Sequence, residues 1–328
     1  MIGLFWNPRG LNRPDKLFRA RDLIREQHPD FFSFSETKKS DFSFAQLQTL
    51  DNHDMYIWNW LPAVGTAGGL LVGINSDVFE VLSWSIHEFC VSCLLRTKRD
   101  KFTWKLISVY GSAYDEHKLE FINELHNVLS CWSGPTLVGG DFNLIRESCD
   151  KNTGNINQHW ADMFNDWINK FGLMEIKCVG RSFTWSNNQE NAVMATLDRI
   201  FVSTCWDSFY SASQVKPLPR LGSDHAPLII DTGALSLPTS RHFRFEKWWL
   251  QVDGFKAVVE KAWNVYCPHT KSIDIWQFKI RHTRQNVKGW CANVEYAQKN
   301  INNNLLLSLT YWISCLNPSV CLLLLNLR

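Results

Sequence analysis

The sequence predicts an α/β fold in which two packed β-sheets are flanked by helices. Within residues 1–232, many short apolar runs rich in β-branched and aromatic residues alternate with only three helical patterns. Many strands with few helices are typical of sheets that pack on each other and carry helices on their outer faces. Hydrophobic residues make up 45% of the chain and aromatic residues 13%. A large core can therefore be filled, and this composition excludes a disordered chain.

The predicted strands are short runs bounded by turn-forming residues. In chain order they are Ile2–Trp6, Phe31–Ser35, Met55–Trp60, Gly69–Ile74, Phe89–Leu95, Phe102–Tyr110, Thr136–Gly140, Ser182–Trp185, Arg199–Val202 and Pro227–Ile230. The predicted helices are Asp15–Gln27, Asp115–Leu129 and Asn157–Phe171. In the last of these, Phe164, Trp167, Ile168 and Phe171 recur at three- and four-residue steps, which gives the helix one apolar face.

The region after residue 232 differs from the first part in charge and composition. Residues 233–240 are uncharged and contain Gly, Pro and Ser, which predicts a linker. Residues 1–232 carry 27 Asp and Glu against 22 Lys and Arg, whereas residues 241–299 carry 5 against 11 and show amphipathic helical spacing. We therefore expect a basic helical extension that suits a polyanionic partner or is simply a solvated surface.

Residues 300–328 form a Leu-rich tail with no charge before Arg328, and we do not expect it to belong to a folded domain. The tail is long enough to span a bilayer, but Asn317 and Pro318 interrupt it. It is either a membrane anchor or an aberrant coding end. Contact with a membrane is not expected unless the tail is an anchor.

The N-terminal sequence, the cysteine spacing and the absence of several known motifs disfavour secretion and several classes of enzyme. The N-terminus has no basic segment ahead of an apolar run, so a secreted protein is not expected. The ten cysteines are scattered, which indicates reduced thiols in an intracellular protein of the nucleus or cytoplasm. P-loop, Gly-x-Gly-x-x-Gly, Gly-x-Ser-x-Gly and His-Glu-x-x-His motifs are absent from the sequence.

Polar residues stand at the ends of the predicted strands, where a rigid sheet can hold side chains at a cleft. They are Asn7, Glu36, Tyr110, Asp141, Asn143, Asp198, Ser223, Asp224 and His225. Each alone has a plain structural explanation, such as a turn or a solvated strand end. The ordered set is much harder to explain by accident, and it predicts a functional cleft.

Seven short motifs that contain these residues resemble, in order, those of the endonuclease/exonuclease/phosphatase superfamily. They are Trp6-Asn7-Pro8-Arg9-Gly10-Leu11, Ser35-Glu36-Thr37-Lys38, Val109-Tyr110-Gly111, Gly139-Gly140-Asp141-Phe142-Asn143, Phe183-Thr184-Trp185-Ser186, Leu197-Asp198-Arg199-Ile200 and Ser223-Asp224-His225-Ala226-Pro227-Leu228. The nearest likeness is to the endonuclease domain of plant LINE-type non-LTR retrotransposons, although the sequence has no reverse transcriptase motif. The resemblance implies a four-layer sandwich of two mixed β-sheets between helices over residues 1–232, with the site at one sheet edge.

The chemistry of phosphodiester hydrolysis fits these residue types. Charge neutralisation, an aligned water and help for the leaving oxygen are needed. Glu36 suits a Mg²⁺ ligand, because a hard cation prefers carboxylate oxygen, and Mn²⁺ would be accepted as well. Asp141 suits the base or orienter of the attacking water, while Asn143 and Asn7 hold that carboxylate and a phosphate oxygen.

The resemblance implies further roles for the remaining polar residues. His225 would donate to a phosphate oxygen with Asp198 fixing its other ring nitrogen, and Tyr110 would face the phosphate or the leaving group. Asp224 would be a second metal or proton-handling carboxylate, with Asn7 also counted among the metal candidates. A separate group is expected to contact substrate: Asn7, Arg9, Thr184 and Ser223.

The sequence leaves three functions open. The first is a Mg²⁺-dependent DNA endonuclease from a truncated LINE-type element, whose partners would be duplex DNA and, further, retroelement RNA or reverse transcriptase. The second is a phosphatase or phosphodiesterase of the same superfamily. The third is a catalytically inactive remnant that only binds nucleic acid.

Overall fold

The computed structural model describes residues 1–51, 53–65, 67–220, 222–233, 247–267, 270–291 and 293. Two mixed six-stranded sheets with helices on their outer faces confirm the predicted α/β sandwich. Of the predicted linker only Gly233 belongs to the described residues, and the Leu-rich tail lies outside them. No helix in the described ranges is long and apolar enough to cross a membrane.

The strands fall into two large sheets and one short ribbon. In chain order the strands are β1 Ile2–Trp6, β2 Phe31–Ser35, β3 Tyr56–Val64, β4 Ala67–Asn75, β5 Phe79–Ile86, β6 Cys90–Thr97, β7 Thr103–Tyr110, β8 Thr136–Asp141, β9 Met174–Glu175, β10 Trp185–Ser186, β11 Met194–Ala195, β12 Asp198–Val202, β13 Gln214–Pro217 and β14 Leu228–Asp231. Sheet A has the order β13-β14-β1-β2-β4-β3, and sheet B has the order β5-β6-β7-β8-β12-β9. Strands β10 and β11 form the ribbon.

The helices lie on the outer faces of both sheets and in the extension. They are α1 Pro14–Gln27, α2 Phe44–Leu50, α3 Lys118–Ser130, α4 Gln158–Lys170, α5 Thr204–Phe209 and α6 Phe255–Trp263, and residues 272–291 form a further helix, α7. Helix α1 begins with Pro14, whose fixed φ suits the first helical turn. Helix α2 begins with a capping box between Ser43 and Gln46.

Three apolar clusters define four layers. Between the two sheets lie buried side chains such as Phe5 and Phe31 from sheet A and Trp104 and Leu106 from sheet B. Residues of α1 pack on the other face of sheet A, and residues of α3 and α4 pack on the other face of sheet B. The four-layer arrangement therefore buries both faces of each sheet, which explains why all five residues of a central strand such as β2 are buried.

Strand direction brings the polar strand ends to one edge. Strand β1 is parallel to β2 and β7 is parallel to β8, so both pairs end on the same side of their sheet. In sheet B, Asp141 at the end of β8 is the register partner of Tyr110 on β7 and of Asp198 on β12. Strand β14 runs antiparallel to β1, which puts the loop before β14 beside the loop after β1.

Several elements were missing from the sequence prediction, which was incomplete at these points. Strands β5 and β13 lie at sheet edges, where the strand is partly exposed and the alternation of apolar and polar residues is weak. Helices α2 and α5 have seven and six residues, too few to show a helical period. The predicted strand Ser182–Trp185 was placed too early, because only Trp185 and Ser186 pair with β11.

The extension packs against the two-sheet sandwich through its basic residues. On α7, Arg284 pairs with the fully buried Asp207 of α5, and Lys288 donates to main-chain carbonyls of Ser211 and Ser213. On α6, Lys261 forms an ion pair with Glu147. Part of the positive charge seen in the sequence therefore serves to dock the extension.

Candidate active site

Asn7 lies at the centre of the polar cleft and is completely buried. Its side-chain nitrogen donates to Glu36 Oε2 at 3.0 Å and to Asp141 Oδ2 at 2.9 Å, and it lies 3.4 Å from His225 Nε2. Its side-chain oxygen accepts a hydrogen bond from the main-chain nitrogen of Arg9 at 2.9 Å. One amide thus joins the ends of β1, β2 and β8 and the loop before β14.

Asp141 is fixed by the turn that follows β8. Its Oδ1 accepts from the main-chain nitrogen of Asn143 at 3.1 Å, and the Asn143 side chain donates to the carbonyl of Gly111 at 2.8 Å. The carboxylate is 1% exposed. Burial raises the pKa of Asp141, an effect that the positive charge of His225 opposes. A buried carboxylate with raised proton affinity suits the role of general base.

His225 and Asp198 form the expected pair. His225 Nδ1 lies 2.9 Å from Asp198 Oδ2, and its Nε2 lies 3.8 Å from Asp141 Oδ2. Burial alone would lower the pKa of His225, but the neighbouring Asp198 and Asp141 carboxylates outweigh burial and raise it. Because Asp198 accepts a hydrogen bond from Nδ1–H, Nε2 faces the cleft with a defined orientation.

Glu36 is the most accessible carboxylate at the centre of the cleft. Its side chain is 12% exposed and forms ion pairs with Lys38 Nζ at 3.0 Å and with Arg9 Nε at 3.7 Å. The hydroxyl of Tyr110 lies near the same carboxylate, and burial together with the charges of Glu36 and Asp141 raises the pKa of Tyr110. The phenol therefore stays protonated and can donate a hydrogen bond to a phosphate oxygen.

The remaining expected residues hold the loops that carry these groups. Asp224 pairs with Arg9 and accepts from the indole nitrogen of Trp185 at 2.8 Å. Ser223 Oγ donates to the carbonyl of Asn7 at 2.7 Å. Thr184 Oγ1 accepts from the main-chain nitrogen of Asp198 at 3.0 Å and is 2% exposed, which gives it a supporting position in this structure.

Neither Lys38 nor Trp185 was predicted as a site residue, although both belong to the motifs quoted above. Lys38 is two residues from Glu36, and its charge was visible, but its contact depends on the turn after β2. Trp185 lies 39 positions from Asp224, so only the fold brings the two together. Lys16 of α1, which lies outside those motifs, was not predicted as a site residue either. Its ammonium group donates to the carbonyls of Pro8 and Gly222.

The cleft fits a divalent cation. Among the described side chains that line it, four carboxylates (Glu36, Asp141, Asp198 and Asp224) lie close together, with Arg9 and Lys38 paired to Glu36 and Arg9 also to Asp224. Donor atoms of Asp141, Asp198 and His225 lie within 4.8 Å of one another. Asp198 is engaged with His225, so we expect Glu36 to offer the accessible oxygen ligand that a hard cation prefers.

Comparison with known sequences gives one family match. The sequence model of the Endonuclease/Exonuclease/phosphatase family matches residues 3–225 of this chain. No curated protein sequence matches the chain significantly. The matched range contains Asn7 at one end and His225 at the other.

Solved structures of low sequence identity share the fold. AP endonuclease LMAP from Leishmania major has 14% identity and a TM-score of 0.56, and the match covers 70% of this chain and 86% of that one. The 3'-5' exonuclease NExo from Neisseria meningitidis has 18% identity and a TM-score of 0.55, covering 70% and 99%. A mannosyl-6-phosphatase from Bacteroides thetaiotaomicron has 14% identity and a TM-score of 0.50, covering 70% and 98%.

Proposed function

The chain belongs to the endonuclease/exonuclease/phosphatase family, and we propose that it is a Mg²⁺-dependent endonuclease of a LINE-type retroelement that hydrolyses phosphodiester bonds in duplex DNA. Members of this family are metal-dependent hydrolases of phosphodiester or phosphate ester bonds. The observation that carries the proposal is the single hydrogen-bonded cluster in which Asn7 contacts Glu36, Asp141 and His225.

Each residue of the cluster has a step that its contacts allow. Asp141, held by Asn7 and Asn143, orients the attacking water and accepts its proton. His225, held by Asp198, donates from Nε2 to a non-bridging phosphate oxygen. Tyr110 donates to the phosphate or the departing oxygen. When bound, Mg²⁺ would neutralise charge on the phosphate and would be held by Glu36, with Asp224 and Asn7 as further candidate ligands.

A polyanion longer than one phosphate is favoured by the cations around the cleft. Lys16 and Arg19 of α1 lie against Gly222, next to the loop that carries His225. Arg9 is 53% exposed, and Arg13 and Arg220 are exposed as well. Because Lys and Arg attract successive phosphates along a strand, this rim suits DNA better than a small phosphate ester.

A small phosphate ester is the second candidate substrate. The same fold occurs in a mannosyl-6-phosphatase, so the architecture alone does not select a phosphodiester. Arg9 and Lys38, both beside Glu36, would in that case bind the single phosphate group.

Product analysis separates these functions. We expect the full chain with Mg²⁺ to convert supercoiled plasmid to nicked circles whose 3′-hydroxyl ends are extended directly by a DNA polymerase. Inorganic phosphate released from sugar phosphates or from 3′-phosphorylated DNA, without nicking, would instead support the phosphatase. DNA binding with neither product would identify an inactive remnant and contradict the proposal.

A further inference from the structure

Glu36 occupies a backbone conformation that its residue type rarely adopts. Its φ is +48°, and Lys38 two residues later has a φ of +55°. A left-handed conformation outside glycine costs free energy and persists only where surrounding contacts impose it. The turn after β2 must therefore be held from outside if the Glu36 carboxylate is to stay in the cleft.

Main-chain hydrogen bonds hold this turn from two sides. The nitrogens of Gly10 and Leu11, in the loop after β1, donate to the carbonyls of Glu36 and Thr37, both at 2.8 Å. On the other side, Thr37 N donates to the carbonyl of Gly69 at 3.1 Å. Lys38 N donates in the same way to Gly68 at 3.0 Å. The beginning of β4 is thus in direct contact with the residues that flank Glu36.

Gly69 makes this close approach possible. Its φ is +89°, and a Cβ atom at Gly69 would lie 2.3 Å from Thr37 Oγ1, 3.3 Å from Ala63 Cβ and 3.4 Å from Lys38 N. Thr37 is completely buried, and its hydroxyl has no hydrogen-bond partner within the part of the chain that the structure describes. The hydroxyl therefore has little room to move away, and a side chain at position 69 would push the turn itself.

We propose that Gly69 is a positioning residue for the metal site: its missing side chain lets β4 close on Thr37 and so holds the Glu36 carboxylate in the cleft. The proposal rests on the proposed function in one respect, namely that Glu36 binds the divalent cation. Gly68 provides a matched control. It has a similar φ of +82°, but among the described residues a Cβ atom there would meet nothing within 4 Å.

The test measures binding of Mn²⁺ alone to the full chain by calorimetry, together with thermal unfolding. Both Gly69→Ala and Gly68→Ala carry the cost of a left-handed alanine and should lower the melting temperature to a similar extent. Only Gly69→Ala should also weaken Mn²⁺ binding, by about tenfold or more. The double variant Gly69→Ala with Thr37→Ala removes the Oγ1 contact and should recover most of the lost affinity.

Three results would overturn the proposal: equal Mn²⁺ affinity in the two glycine variants, no recovery in the double variant, or no Mn²⁺ binding by the wild-type chain. The proposed function has a separate readout. If the wild type binds Mn²⁺ with the expected pattern of variants but does not nick DNA, the positioning role stands and the endonuclease assignment fails.

Discussion

The imidazole of His225 is held from two sides in a site with almost no contact with solvent. Asp198 binds Nδ1, while Asn7 and Asp141 lie near Nε2. A histidine fixed in this way donates from Nε2 without first reorienting, which is how a preorganised site stabilises charge in a transition state. In the proposed reaction Asp198 therefore acts through His225.

Replacement of His225 tests this role at the residue scale. We expect His225→Ala to reduce single-turnover nicking about 10²- to 10³-fold, the usual cost of a lost transition-state contact, while DNA affinity stays near wild type. Asp198→Asn should behave similarly, and the double variant should be little worse, because the two residues work as a unit.

His117→Ala, at an exposed histidine on the surface, serves as the matched control and should nick normally. Normal nicking by His225→Ala would contradict the role. So would a loss of folding that accounts for its whole defect, as judged by thermal unfolding.

The site residues differ in how far the sequence could predict them. Asn7, Glu36 and Asp141 follow apolar strands, so their place at a sheet edge could be inferred. The pairing of Arg9 with Asp224 joins residues 215 positions apart, and no local pattern encodes such a contact. The order of the strands and their register determine that these two residues meet.

At the scale of elements, the register of β7, β8 and β12 aligns Tyr110, Asp141 and Asp198 across sheet B. Strand β7 was predicted because its sequence is rich in β-branched and aromatic residues. Edge strand β9 has only two residues, too few for a pattern, and it was missed. It nevertheless carries Glu175, which is 9% exposed and pairs with Arg199 and Arg146.

Glu175 makes the stability of this edge depend on pH. Burial raises the pKa of Glu175, but Arg199 and Arg146 more than offset burial and lower it to about 2 from an ordinary value of 4.5. Since the folded-state pKa lies below the unfolded value, the stabilisation is complete above pH 4.5 and is lost as pH falls toward about 2.

Glu175→Gln should therefore lower the free energy of unfolding by about 3–5 kcal/mol at pH 7, because it leaves two guanidinium groups with one ionic partner fewer. Urea unfolding at pH 7 and pH 3 measures the change, and the gap between the variant and the wild type should narrow at pH 3. Glu80→Gln, at an exposed ion pair with Arg96, should have little effect at either pH. Equal effects of the two substitutions would refute the structural role of Glu175.

At the scale of the whole molecule, the basic extension is part of the folded unit. The sequence indicated its charge and its helices, but not that Asp207 would accept Arg284 or that Trp249, Phe255 and Val287 would form a core of their own. Its contribution to DNA binding remains a prediction. The side chain of Lys256 is 90% exposed and lies 3.7 Å from Glu260 in a solvent-exposed ion pair, so its charge is accessible to DNA.

Docking of the extension through Arg284 can be measured by stability. Arg284→Met leaves the buried Asp207 carboxylate without its cation and should lower the free energy of unfolding by about 3–5 kcal/mol. Lys256→Met removes the same charge from an exposed position and should change stability little. Chemical denaturation of both variants gives the comparison. An unchanged midpoint for Arg284→Met would mean that the extension does not dock in this way.

The most direct test of a metal-dependent nuclease is the rate of plasmid nicking as a function of Mg²⁺ concentration, measured for wild type and Glu36→Gln with and without excess chelator. Carboxylates gathered in one cleft repel each other unless a cation compensates them. We expect excess chelator to abolish nicking. We also expect Glu36→Gln to need a Mg²⁺ concentration about tenfold higher than wild type, or more, to reach its half-maximal rate. Undiminished nicking in excess chelator, or the same Mg²⁺ requirement in both proteins, would contradict a catalytic cation held by Glu36.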